Sequence, residues 1–175
     1  FEAHVYNIKG DKISKLKLPE VKNFKDLRKP TFETKIFGNL TGVLVKPSSQ
    51  NSSKNMIVWL HGGPHRQASL VLNPIRSYGT YDATLINIVN QTGAYVLKLD
   101  YPGSVGHGNT LANSIYRNVG GLDVKELALS IEAAKRDLGI EKVFIGGTSY
   151  GGYLGLKFLA ERPELVDGVF AINSV

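Results

Sequence analysis

The sequence predicts an α/β layered domain on a mainly parallel sheet. Three observations predict it. Short, continuous apolar runs recur after residue 55, as in strands buried on both faces. Amphipathic helical stretches separate them, and strands alternating with helices imply layers. Turn-forming residues bound almost every run.

The elements follow in chain order. "HVYNI" and "KISKLKL" read as a short strand pair around "KGDK", and a charged connector leads to Pro30. "TFETKIF" and "LTGVLVKP" flank Gly38-Asn39, a dipeptide that favours a tight hairpin turn. "PSSQNSSKN" is a polar loop. "MIVWL" (56–60), "AYVLKLD" (94–100), "KVFIGG" (142–147) and "GVFAIN" (168–173) are the buried strands. Residues 78–91 form one helix. In "GLDVKELALSIEAAKRDLG", Val124, Leu127, Ala128, Ile131, Ala134 and Leu138 recur at spacings of three and four, and Gly139 stands where the helix stops. "YLGLKFLAERPE" is a further helix, ending near Pro163.

Composition excludes several classes. The chain has 175 residues, 42% hydrophobic and 21% charged, which are globular values. No apolar run approaches the roughly 20 residues of a membrane span, and the start lacks a signal-peptide layout. There is no cysteine, which removes disulfides, thiol catalysis and cysteine metal sites and is compatible with a cytoplasmic location. Residues 1–50 hold ten Lys/Arg against five Asp/Glu, and the remainder eleven against ten. The excess charge lies on a leader whose lysines alternate with apolar residues, without the basic stripe and stacking aromatics of a nucleic-acid surface. No metal cluster or cofactor motif stands out.

Two motifs carry chemistry. Gly147-Thr-Ser-Tyr-Gly151 fits G-x-S-x-G between a predicted strand and a predicted helix, the context of a nucleophile elbow. There Ser149 sits on a sharp, strained turn, and side chains two positions either side would strike neighbouring backbone. The following helix turns its free N–H groups toward the site, so the Tyr150 amide is the first oxyanion donor. A phosphate loop would instead require G-x-x-x-x-G-K-[ST], and no lysine follows. "HGGPH" (61–65) directly follows "MIVWL", where hydrolases of this architecture place the second donor. Gly63 is that donor, with Gly62 its neighbouring alternative, and His61 braces the loop.

With "DYPGSVGHGN" and "GGLDVKEL" between them, these motifs resemble, in order, the catalytic domain of the prolyl oligopeptidase family, and most closely its acylaminoacyl-peptidase branch. The resemblance spans about residues 30–175. It implies an α/β-hydrolase fold, C-terminally incomplete, and a serine peptidase acting on short peptides, with Ser149 as nucleophile and the Tyr150 and Gly63 amides as oxyanion hole, without a cofactor. It also implies that residues 1–29 are a connector and the tail of a β-propeller. The chain departs from the family at Pro102, where arginine is usual, and at His107, where an aromatic is frequent.

A serine hydroxyl needs a base, and the base an orienting carboxylate, in the order Ser, Asp or Glu, His in this fold. All four histidines precede Ser149. Asp167 follows it but precedes the last strand, at the sheet end away from the site. His107 would be an unorthodox base. The expectation is a truncated domain, whose acid and histidine lie in the remainder of the polypeptide, inactive alone and exposing strand 168–173 as an apolar edge. An esterase or lipase of the same fold, and a non-catalytic binding domain, are the alternatives.

Overall fold

The computed structural model describes residues 5–9, 12–16, 30–48, 52–68 and 76–175. The turn at 10–11, the connector 17–29 and part of the polar loop lie outside the described residues. β1 (Val5–Lys9) and β2 (Lys12–Leu16) pair antiparallel, Val5 opposite Leu16, which agrees with the predicted strand pair.

A six-stranded sheet organises the rest. β3 (Thr31–Phe37) and β4 (Leu40–Lys46) form the hairpin around Gly38-Asn39. Then come β5 (Asn55–Leu60), α1 (Arg76–Thr92), β6 (Tyr95–Leu99), α2 (Asn109–Asn113), α3 (Leu122–Leu138), β7 (Lys142–Thr148), α4 (Tyr150–Glu161), a 3-10 turn (Pro163–Leu165) and β8 (Gly168–Ile172). The strand order is β3-β4-β6-β5-β7-β8. β6, β5, β7 and β8 run parallel, whereas β3 and β4 are antiparallel to their neighbours. Three predicted features fall where the spacing puts them. α1 covers the 78–91 stretch, α3 follows the three–four repeat, and Gly139 ends α3 in the left-handed region at φ 65°. α4 starts three residues before "YLGLKF", because the elbow leads straight into it. The five-residue α2 has no signal in the sequence pattern, being too short for a periodic face.

Side-chain alternation sorts the core onto two faces. Met56, Val58, Leu60, Leu97 and Leu99 point to one side with Leu127 and Ile131 of α3 and Leu154 and Phe158 of α4. Ile57, Trp59 and Val96 point to the other, against Leu85 and Val89 of α1. Each such burial contributes roughly 1.5–3 kcal/mol. Lys98 shares the α1 face and reaches Asp82 at 2.7 Å, an ion pair about one-tenth exposed on each side. Ser130 of α3 donates to the Phe37 carbonyl at 2.8 Å and so fixes the β3–β4 hairpin.

Strand register positions the site. Leu60 of β5 lies level with Leu99 of β6 on one side and with Gly147 of β7 on the other. The loops after these three strands therefore leave the sheet side by side at its carboxyl edge. Crossovers from β5 go one way to β6 and from there back across to β7, so this edge contains the point where strand order reverses, the crevice where open α/β sheets carry their sites.

Candidate active site

Ser149 follows β7 with φ 51° and ψ −121°. For a residue with a Cβ this is a sparsely populated conformation costing of the order of 1–3 kcal/mol. The geometry leaves no room for side chains two positions away. A Cβ on Gly147 would lie 2.4 Å from the Gly151 carbonyl carbon, and one on Gly151 would lie 2.2 Å from the Leu60 oxygen. The half-buried serine makes no side-chain hydrogen bond to another described residue. Its own amide donates to the Ile172 carbonyl at 2.9 Å, so that N–H is spent on the sheet. Tyr150 is the first residue of α4, a position whose N–H has no partner within the helix.

The HGGPH loop packs directly against this corner. A Cβ on Gly62 would lie 3.2 Å from the Thr148 oxygen and 3.3 Å from Ser149 Cβ. Gly62 is buried and Gly63 exposed, with Gly63 at φ 132°. The structure thus brings Ser149, Tyr150 and the Gly62–Gly63 segment together, as the motifs imply. His61 is 6% exposed. Its ring stacks on Tyr101 with centroids 4.5 Å apart. Nδ1 donates to the Gly62 carbonyl at 2.8 Å, Nε2 lies 3.0 Å from Ser104 Oγ, and the Tyr101 hydroxyl donates to the His61 carbonyl at 2.5 Å. It is enclosed as a brace and makes no bond to Ser149.

A second loop stitches the first in place. Buried Asp100 accepts from the Ala68 amide at 2.6 Å and from His107 Nε2 at 2.8 Å. His65 Nδ1 donates to the Gly103 carbonyl at 2.9 Å, and the Val105 amide to Arg66 at 3.0 Å. A cavity of about 330 Å³ opens beside it, lined by Thr34, Thr41, Gln67, Asp100 and His107 among others. His107 is therefore committed to Asp100, and no hydrogen bond joins it to Ser149 among the described residues. Asp167 accepts from the Val143 amide at 2.8 Å, at the start of β7. At about 3.3 Å per residue that is close to 20 Å from the serine, so Asp167 cannot orient a base there.

Asp123 is a residue the sequence reading passed over. It is fully buried in the first turn of α3. It accepts from the Val124 amide at 2.9 Å, the Gly120 amide at 3.2 Å and the Tyr150 hydroxyl at 2.5 Å. Burial first, and then the bond to the Asp123 carboxylate, push the Tyr150 phenol far above its usual range. The phenol thus stays neutral and donating, and Asp123 anchors the side chain of the residue that follows Ser149. The signal was the acid inside "GGLD", placed where a helix N-terminus favours negative charge.

Among the described residues, no group of three His, Cys, Asp or Glu side chains could hold a metal, and no helix is long and apolar enough to cross a membrane.

The model of the prolyl oligopeptidase family matches residues 80–175, more than half of the chain. The chain is 28% identical over 137 residues to the acylamino-acid-releasing enzyme of Rattus norvegicus, covering 76% of this chain and 17% of that protein. It is 30% identical over 127 residues to acylamino-acid-releasing enzyme 1 of Oryza sativa subsp. japonica, covering 71% and 15%. The chain thus spans about a sixth of the length of the curated relatives it matches. Among solved structures, it superposes on Pyrococcus horikoshii acylaminoacyl peptidase with a TM-score of 0.70 at 20% identity, covering 97% of this chain and 27% of that one. The puromycin-hydrolyzing peptidase of Mycobacterium tuberculosis gives 0.63 at 23%, covering 94% and 25%. The strained serine corner, the glycine loop packed against it and the order of the strands agree with these likenesses: the fold is that of the α/β-hydrolases, and the chain belongs to the prolyl oligopeptidase family.

Proposed function

We propose that this chain is the nucleophile-bearing part of a serine peptidase that hydrolyses short peptides, N-acylated ones among them. Ser149 Oγ attacks the scissile carbonyl carbon and gives its proton to a histidine. The resulting oxyanion takes hydrogen bonds from the Tyr150 and Gly63 amides. The amine leaves with that proton, and water then releases the acyl group from the serine. The histidine and its orienting acid come from the remainder of the polypeptide, since every histidine of this chain precedes Ser149 and none bonds to it among the described residues. Residues 1–29 belong to the connector and propeller tail. The substrate class rests on the acylamino-acid-releasing relatives.

The observation that carries this reading is Ser149 at φ 51°, between two glycines that admit no Cβ and against the HGGPH loop. A strained serine persists where the surrounding structure over-determines it. The test is turnover by the complete polypeptide on an N-acetyl-peptide anilide and on a p-nitrophenyl ester. Anilide cleavage that disappears in Ser149→Ala supports a peptidase. Ester cleavage alone would make the protein an esterase. No turnover, with no covalent labelling by a fluorophosphonate, would make it a binding domain. The 175-residue chain by itself is expected to show negligible turnover.

A further inference from the structure

We propose that the cavity beside β6 is a subsite for a primary ammonium group of the substrate, with His107 as its hydrogen-bond acceptor; this rests on the acyl-transfer reading of Ser149. The cavity, of about 330 Å³, is lined by Thr34, Thr41, Gln67, Asp100 and His107 among others, and its size is near the lower end for small-ligand sites. Asp100 is 3% exposed. Its carboxylate accepts from the Ala68 amide at 2.6 Å and from His107 Nε2 at 2.8 Å. An ionised carboxylate has no proton to give, so Nε2 carries one, and in the neutral ring Nδ1 holds a lone pair. The two nitrogens point away from each other, so Nδ1 faces away from Asp100. Among the described residues nothing bonds to Nδ1, and the Thr34, Thr41 and Gln67 side chains make no hydrogen bond. His107 is also where this chain departs from the family pattern.

The sign of the charge selects the ligand. With the ring neutral, the Asp100–His107 pair carries one negative charge in an enclosed setting, where salt screens little. Lys98, two residues before Asp100, is bound to Asp82 at 2.7 Å. Arg66 places its Cγ 3.3 Å from where a Cβ on Gly63 would lie. Neither cation lines the cavity. An anionic ligand would approach a carboxylate and would require a protonated ring. A primary ammonium brings a positive charge and three N–H donors and needs no acceptor; the lining offers it Nδ1, two hydroxyl oxygens and the Gln67 carboxamide oxygen. Position ties the cavity to the serine. Leu99, Leu60 and Gly147 lie level on adjacent strands, so Asp100 and Thr148 leave the sheet two strand spacings, roughly 10 Å, apart. That is about three residues of extended peptide. Gly63, His65 and Arg66, in the loop between, are exposed. The ammonium is therefore a free N-terminus about three residues before the scissile bond, or a lysine side chain nearer to it. His107 touches no reacting atom.

Two series of peptide anilides, assayed with the complete polypeptide, test this. One is N-acetylated, with lysine, norleucine or glutamate at the second or third residue before the anilide. The other is a norleucine tripeptide anilide with a free or an acetylated N-terminus. In one series kcat/KM for the ammonium-bearing member is expected to exceed that of its neutral counterpart by roughly 10- to 100-fold, the effect of one hydrogen bond to a charged group; which series shows it identifies the source of the ammonium. In Gln the amide nitrogen falls at the place of Nε2, so His107→Gln keeps a donor for Asp100 and removes the acceptor. The preference should then shrink to within about threefold of unity. Thr34→Val, at an exposed position of the hairpin, should reduce it in part, and decides should His107→Gln fail to fold. In Ser149→Ala, calorimetric titration reads the cavity without turnover: the preferred peptide should bind more tightly than its neutral counterpart, and that margin should vanish when His107→Gln is added. No preference in either series, a preference that neither variant diminishes, or a preference for glutamate lost in His107→Gln would overturn the ammonium subsite. Turnover that survives Ser149→Ala overturns the serine mechanism instead, and the calorimetric margin then decides the cavity by itself.

Discussion

Replacing Gly151 with alanine measures how closely α4 approaches the end of β5. The added Cβ would lie 2.2 Å from the Leu60 oxygen, 2.6 Å from the His61 oxygen and 2.7 Å from the Leu60 carbonyl carbon. All three are backbone atoms, so no rotamer change relieves the contact. Against an ordinary contact of 3.4 Å, the shortfall is about 1.2 Å. Helix and strand must separate by about that distance, and such a gap forfeits about half of each dispersion contact across it. Tyr150, Leu154 and Phe158 are the buried side chains on this part of α4, together contributing roughly 6 kcal/mol. The expected loss is therefore about 3 kcal/mol, at the upper end for overpacking. Urea unfolding followed by the fluorescence of Trp59, the single tryptophan, should show a midpoint lowered by about 1.5 M at a slope near 2 kcal/mol per molar. A midpoint within about 0.5 M of wild type would refute the close approach, and with it the reason for glycine at this position.

Three further outcomes follow from the same geometry. Ser149→Gly removes the left-handed strain that Ser149→Ala keeps, so the glycine variant should be the more stable of the two by about 1 kcal/mol; equal midpoints would show the corner to be unstrained. Because the Tyr150 phenol titrates far higher when folded, the unfolded chain releases that proton first. Its contribution is complete below about pH 10 and declines above it by up to about 1.4 kcal/mol per pH unit; Tyr150→Phe should flatten the alkaline arm of a stability–pH profile. Asp82→Ala takes a carboxylate from buried Lys98 and should cost about 3 kcal/mol, whereas the double variant Asp82→Leu, Lys98→Met should recover most of it in thermal melts.

Local pattern determined much of this protein. Apolar runs bounded by turn residues located β5 to β8, three–four spacing located α3, and Gly38-Asn39 located the hairpin, because each signal acts within a few residues. Gly147 and Gly151 disclosed the elbow in advance, since a steric requirement that strict leaves a mark in residue identity. Tertiary structure alone decided which loops meet. Nothing local says that Leu60 lies level with Leu99 and Gly147, yet that register puts His61, Ser104 and Ser149 at one edge. The partnerships of Asp123 with Tyr150 and of Asp100 with His107 were hidden for a related reason. A buried carboxylate is identified by the donors that surround it, and here two of those donors, the Tyr150 hydroxyl and the Ala68 amide, come from segments that only folding brings together.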